Sequence, residues 1–107
     1  MKIELLTELS FENETPPEII EIDLDENLSI GELFSKIHEI TKIPPYKELR
    51  WNNNVEKISC RYYYKSGIEI DDYTIIMNLD EQIDSFPKYG SSGELLLYIN
   101  GDHGLAN

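Results

Sequence analysis

The stretch KIPPYKELRW, residues 42–51, decides how the neighbouring parts of the chain fold. Apolar residues recur at helical spacing before it, and then two prolines follow in succession. Proline has no backbone N–H and holds the preceding residue in an extended conformation. The helix must therefore end near residues 41–42, and Leu49 and Trp51, which alternate around Arg50, predict a strand directly after the turn.

The helix before this turn is predicted to begin at Ser29. Ser29 and Glu32 have the spacing of a capping box, in which each side chain satisfies a backbone N–H of the other residue. The positions that follow at helical spacing predict the side chains that face the core, namely Ile30, Leu33, Phe34, Ile37 and Ile40.

Two strands are predicted before the helix. Residues 2–9 alternate apolar and polar side chains, and residues 18–25 do so more clearly, with one apolar face and one strongly acidic face. The loop between them carries Asn13, Thr15, Pro16 and Pro17. Because the two strands are close in sequence, we expect them to pair as a hairpin.

The second half of the chain is predicted to be mostly strand. Residues 58–64 (ISCRYYY) and 68–77 are rich in β-formers. Residues 79–86 predict a short helix that begins at Asn78 and ends before a proline. The last strand, residues 94–100, is apolar at nearly every position, which favours a central place in the sheet.

This order of elements predicts an α+β fold with one helix packed across a sheet. The length fits a single domain over residues 1–100, followed by a mobile tail over residues 101–107.

Residues 18–51 and 94–100 resemble ubiquitin and ubiquitin-like domains, whose fold is the β-grasp, a mixed sheet packed on one main helix. Ile43-Pro44-Pro45 follows Ile37 by six positions, as an Ile-Pro-Pro does in ubiquitin. The apolar triplet Ile20, Ile22 and Leu24 resembles the second strand of that family. The serine, phenylalanine and proline at 85–87, followed by a glycine turn and an apolar strand, also resemble the ubiquitin-like domain of tubulin-folding cofactor B.

The chain also departs from this family. No Gly-Gly pair occurs near its end, which counts against a conjugated modifier. Arg50 occupies the position that resembles the central isoleucine of ubiquitin's apolar receptor patch. The chain has extra residues before its last strand, which we expect to form an inserted β-hairpin at about Lys57–Met77. Tyr62 and Tyr64 should share one face of that hairpin and Tyr63 the other.

The net charge of the chain restricts the classes of molecule that it is expected to bind. The chain has 21 acidic and 9 basic residues, a net charge of −12, and no Lys or Arg between Glu8 and Glu32. Such a surface repels nucleic acid and anionic membranes and favours a protein partner with a basic surface. Acidity that serves only solubility is the alternative. The single cysteine, Cys60, excludes an internal disulfide and favours a reducing, cytoplasmic location.

Catalytic and metal chemistry find little support in the sequence. Asp23, Asp25 and Asn27 begin like an EF-hand loop, but Leu28 and Phe34 stand where calcium needs a glycine and a carboxylate. Cys60, His38 and His103 do not have the spacing of a metal site. We therefore expect neither a catalytic residue nor a bound metal or cofactor.

The resulting expectation is a non-catalytic protein-interaction module that binds a basic partner through an acidic face. An acidic inhibitor or immunity protein that neutralises a basic toxin or nuclease is one alternative, and a conjugated modifier after C-terminal processing is another. The oligomeric state stays open. The predicted protein-binding residues are Glu18, Glu21, Asp23, Asp25, Arg50, Tyr62 and Tyr64.

Overall fold

A computed structural model of the chain describes residues 1–9, 18–25 and 27–101. The expected loop at 13–17 and the tail after Gly101 lie outside the described residues. The elements follow in the order β1 (Lys2–Leu9), β2 (Glu18–Glu21), α1 (Ile30–Thr41), β3 (Tyr46–Trp51), β4 (Asn54–Ser59), β5 (Arg61–Lys65), β6 (Tyr73–Ile75), a 3₁₀ helix (Ile83–Ser85) and β7 (Leu95–Gly101).

Five strands form one mixed sheet in the order β2-β1-β7-β5-β6. β1 and β2 pair antiparallel, as predicted, and β7 lies in the centre, parallel to β1 and antiparallel to β5. Burial alternates along β7, so that Leu95, Leu97 and Ile99 face the core while Leu96 and Tyr98 are half-buried on the other face. The central position of the last strand is therefore confirmed.

The helix packs on one face of this sheet, which confirms the α+β prediction. Ile30, Leu33, Phe34 and Ile37 are buried in a core with side chains of β1, β2 and β7. Burial of each large apolar side chain stabilises the fold by roughly 1.5–3 kcal/mol. Ile40 was predicted to join them and is 49% exposed. It lies at the edge of the apolar stripe, and Thr41 takes the central position of the last turn.

The strand predicted at 58–64 is two strands. The strand is interrupted at Cys60, whose backbone N–H donates to the carbonyl of Pro45 at 3.0 Å. β4, before the break, pairs only with β3, through a two-residue turn in which Asn52 and Asn53 have φ of 48° and 62°. Asparagine tolerates these positive φ values better than most residues, which permits a tight hairpin.

The strands between residues 46 and 75 are divided between two sheets. The strand at Leu49 and Trp51 is confirmed, although their side chains lie outside what the structure describes. It belongs, however, to a separate two-stranded sheet, β3-β4, while β5 and β6 complete the main sheet. A hairpin does form within the predicted range of about Lys57–Met77, since β5 and β6 pair antiparallel, and it is part of the main sheet. A second hairpin, residues 46–59, lies outside that sheet and was not predicted.

Two predicted strands are shorter than expected. β2 ends at Glu21 rather than at residue 25, and beyond it Ile22 exchanges main-chain hydrogen bonds of 2.9 Å with Met1. Between 68 and 77 only Tyr73–Ile75 is a strand. Asp72 stabilises the preceding loop through two hydrogen bonds. Its carboxylate accepts the N–H of Glu69 at 3.0 Å, and its carbonyl accepts the N–H of Ser66 at 2.7 Å.

The short helix predicted at 79–86 is limited to the 3₁₀ turn Ile83–Ser85. The carbonyls of Leu79 and Glu81 accept the N–H groups of Gly31 and Ile30, at 2.9 and 2.7 Å. These carbonyls cap the start of α1 and are therefore not used in a helix of their own.

Candidate functional site: an acidic sheet edge and an aromatic sheet face

The acidic residues that were predicted from β2 lie at the edge of the main sheet. β2 is the first strand in the sheet order, and Glu21, Asp23 and Asp25 are exposed along it and the extended segment that follows. The side chain of Glu18 lies outside what the structure describes. Two positive charges are near this edge, because Lys2 is the cross-strand neighbour of Glu21 and the Met1 ammonium donates to the carbonyl of Ile22.

Arg50 is separated from this acidic edge in the fold. It is exposed on β3, in the hairpin outside the main sheet, and borders a shallow depression of ≈ 420 Å³ with Asn52, Asn53, Asn54 and Val55. The structure therefore does not bring Arg50 into one site with the predicted tyrosines, which belong to β5.

Tyr62 and Tyr64 share one face of β5, as predicted, and that face is turned towards the core. Tyr62 packs against Phe34 with ring centroids 4.1 Å apart, and Tyr64 meets Phe86 edge-on at 5.0 Å. Both rings are packed against the buried core cluster. Their position favours a packing role over that of exposed interface anchors.

The Tyr62 hydroxyl also meets a histidine. His38 Nδ1 lies 2.8 Å from the carbonyl oxygen of Ile43, which can only accept, so Nδ1 carries the proton. Nε2 of the neutral ring then accepts from the Tyr62 hydroxyl at 2.7 Å. Burial, with a smaller contribution from the nearby Cys60, raises the pKa of Tyr62 to about 12.

Cys60 lies beside this pair and is half-buried. Its Sγ is 3.5 Å from the carbonyl oxygen of Pro44, and burial raises the pKa of the thiol to about 11. The thiol is therefore protonated at neutral pH, whereas nucleophilic cysteines need a pKa shifted in the opposite direction.

The sequence reasoning missed an aromatic cluster on the outer face of the main sheet, opposite the helix. Tyr63 and Tyr98 are cross-strand neighbours with ring centroids 5.3 Å apart, and Tyr73 approaches Tyr98 to 5.6 Å. These rings and Leu6 border a shallow depression of ≈ 400 Å³. The alternation of β5 places Tyr63 on this face, but only the strand order brings the other two rings to it.

Within residues 1–9, 18–25 and 27–101, no three His, Cys, Asp or Glu side chains lie close enough together to hold a metal ion. In that same part of the chain no helix is long and apolar enough to cross a membrane.

Comparison with known proteins adds no relative. No protein-family model matches the chain, and no curated protein and no solved structure is significantly similar to it.

Proposed function

We propose that this chain is a ubiquitin-like β-grasp domain that acts as a protein-interaction module and binds a basic protein through the acidic edge at β2. The fold assignment is supported by a mixed sheet with a parallel central pair, β1 and β7, and by the packing of α1 across one face. In this assignment the inserted hairpin is β3-β4, since these strands stand outside the five-stranded sheet.

The observation that carries the function is the set of exposed carboxylates at Glu21, the last residue of the edge strand β2, and at Asp23 and Asp25 in the segment that follows it. A dense, exposed set of like charges attracts an oppositely charged partner and raises the rate of encounter. The net charge of −12 extends the same sign of field over the surface. Exposed carboxylates at an edge strand also discourage strand-to-strand aggregation, so the edge remains available to a specific partner.

The proposal is tested by capture from native lysate, with elution first by moderate salt and then by denaturant, read by mass spectrometry. We expect a basic protein in the salt fraction, and its identity distinguishes an adaptor from an inhibitor of a toxin or nuclease. A captured set without basic proteins contradicts the proposal. Higher-mass adducts that survive denaturant and are joined through a C-terminal glycine would show a conjugated modifier instead.

A further inference from the structure

The outer-face depression combines two kinds of chemistry in one place. Its wall is apolar and aromatic, with Leu6, Ile70 and the tyrosines 63, 73 and 98, and the acidic residue Asp71 also borders it. Glu4, two residues before Leu6 on the same face of β1, is close enough to Tyr73 to raise the pKa of that tyrosine, after the larger effect of burial. The depression is thus lined by tyrosine rings and one acidic residue, with Glu4 within electrostatic reach of Tyr73.

Ile70 is presented to this depression by an ordered loop. The side chain is 91% exposed, although the loop is fastened on both sides. The ammonium of Lys65 donates to the carbonyl of Glu69, and Ser66 Oγ donates to the carbonyl of Asp72 at 3.1 Å. An apolar side chain held in water by this loop contributes little to the fold. Together with Leu6 and the tyrosine rings, Ile70 forms a contiguous apolar surface, and such surfaces mark interaction sites.

The base of the depression contains an unsatisfied acceptor. Asn100 Nδ2 donates to the Tyr98 hydroxyl at 2.9 Å, while Asn100 Oδ1 is buried and has no hydrogen-bond partner in the described part of the chain. A buried acceptor without a donor is costly to the fold.

We propose that this depression receives an arginine side chain from an extended basic segment of the partner. The aliphatic stem of arginine packs on Leu6 and Ile70, and its planar guanidinium stacks on tyrosine rings and donates to Asp71. The proposal rests on the proposed function, because it names the anchor of the same basic partner.

The chain already pairs cations with tyrosine rings in this way. Lys65 Nζ lies 5.0 Å from the centroid of Tyr73, and Lys57 Nζ lies 4.2 Å from that of Tyr46. Lys65 is directed to the carbonyl of Glu69, and Arg61, the neighbour of Asn100 on β5, does not border the depression. The negative charge at the rim therefore comes from Asp71, with Glu4 on the adjoining strand.

Two peptides of equal charge test the proposal. One has four Arg-Ser repeats and the other four Lys-Ser repeats, both blocked at their ends and titrated into the full chain at low salt while backbone amide shifts are recorded. We expect the arginine peptide to bind about fivefold more tightly or better. Its shifts should centre on Tyr63, Ile70, Asp71 and Tyr98.

Two variants of one loop supply the matched control. Ile70→Lys places a positive charge in the depression, whereas Ile68→Lys makes the same charge change at a side chain that is 85% exposed and does not border it. We expect the arginine preference to disappear in Ile70→Lys and to persist in Ile68→Lys. Both positions are exposed, so both variants should fold.

The other outcomes separate this proposal from the proposed function. Equal binding of the two peptides, with shifts at Glu21, Asp23 and Asp25, overturns the arginine site and supports the acidic edge. An arginine preference that Ile70→Lys leaves intact also overturns it. If neither peptide binds, the arginine site is overturned and the proposed basic partner is contradicted as well.

Discussion

His38 Nε2 and the Tyr62 hydroxyl lie 2.7 Å apart, and their hydrogen bond joins α1 to β5 beside the core. In the neutral imidazole the carbonyl of Ile43 fixes the proton of His38 on Nδ1, so that Nε2 accepts from the Tyr62 hydroxyl. A tyrosine that sequence reasoning assigned to a binding surface thus fastens the helix to the sheet.

Replacement of Tyr62 by Phe should lower the free energy of unfolding by about 1 kcal/mol, since it leaves His38 Nε2 without its donor in a half-buried place. Urea unfolding measures the change. Tyr89→Phe is the matched control, because the Tyr89 hydroxyl makes only a 3.4 Å bond at an exposed position. Equal losses in the two variants would contradict the role of the His38 bond.

Stability should fall in alkaline solution as the buried thiol and phenol ionise. Burial raises the pKa of Cys60 from 9.0 to about 11 and that of Tyr62 from 10.0 to about 12. At these pH values the unfolded chain releases protons that the folded chain retains, so the folded state is increasingly disfavoured from about pH 9 to pH 12. Denaturant unfolding at several pH values measures the decline.

Cys60→Ala isolates the thiol contribution to this decline. In this variant the loss of stability that begins above pH 9.0, the ordinary pKa of the thiol, should be absent. The loss that begins above pH 10.0, the ordinary pKa of a tyrosine such as Tyr62, should remain. A pH profile identical to that of the unmodified chain would show that the thiol does not contribute.

The start of α1 offers a third prediction. Ser29 Oγ accepts the N–H of Glu32 at 3.2 Å, so Ser29→Ala should cost about 1 kcal/mol of stability. Ser35→Ala, at an exposed position inside the same helix, should change stability by less than about 0.5 kcal/mol. Thermal unfolding of the two variants makes the comparison, and equal effects would exclude a capping role for Ser29.

Gly90 should not tolerate a side chain. A Cβ there would lie 2.8 Å from the backbone N of Glu94 and 2.7 Å from its Cβ, just before β7 begins. Gly90→Ala should therefore destabilise the chain by roughly 1–3 kcal/mol, whereas the neighbouring, exposed Ser91→Ala should change little. If Gly90→Ala unfolds at the same denaturant midpoint as the unmodified chain, the turn accommodates the added methyl group and the prediction is wrong.

The local elements could be predicted from sequence because their signals are local. The two prolines end α1, Ser29 begins it, and the alternation at Ile3 and Leu5 predicts β1. Half of the capping box forms as predicted, because Ser29 Oγ accepts the N–H of Glu32. In the other half, the Glu32 carboxylate accepts from the Ser29 hydroxyl at 3.3 Å. The N–H groups of Ile30 and Gly31, in the first turn, donate to the carbonyls of Glu81 and Leu79. No local sequence pattern reveals this long-range contact.

The order of the strands in the sheet was the main feature of the candidate site that could not be predicted from the sequence. The resemblance to ubiquitin favoured the strand at Leu49 and Trp51 as part of the main sheet, but β5 takes the place beside β7. This exchange turns Tyr62 and Tyr64 inward and assembles Tyr63, Tyr73 and Tyr98 outside. The acidic face could be predicted without strand order, because alternation within one segment defines it, whereas its place at the sheet edge follows from the strand order.

The central claim, that the acidic edge binds a basic partner, is tested most directly by quantitative capture from native lysate with three baits. These are the unmodified chain, a double variant with Glu21→Lys and Asp23→Lys, and a control with Glu39→Lys and Glu48→Lys, two exposed positions on α1 and β3. The two variants change net charge equally. The account predicts that basic proteins eluted by salt are lost from the Glu21 and Asp23 variant and retained by the control. Equal recovery from all three baits would contradict it.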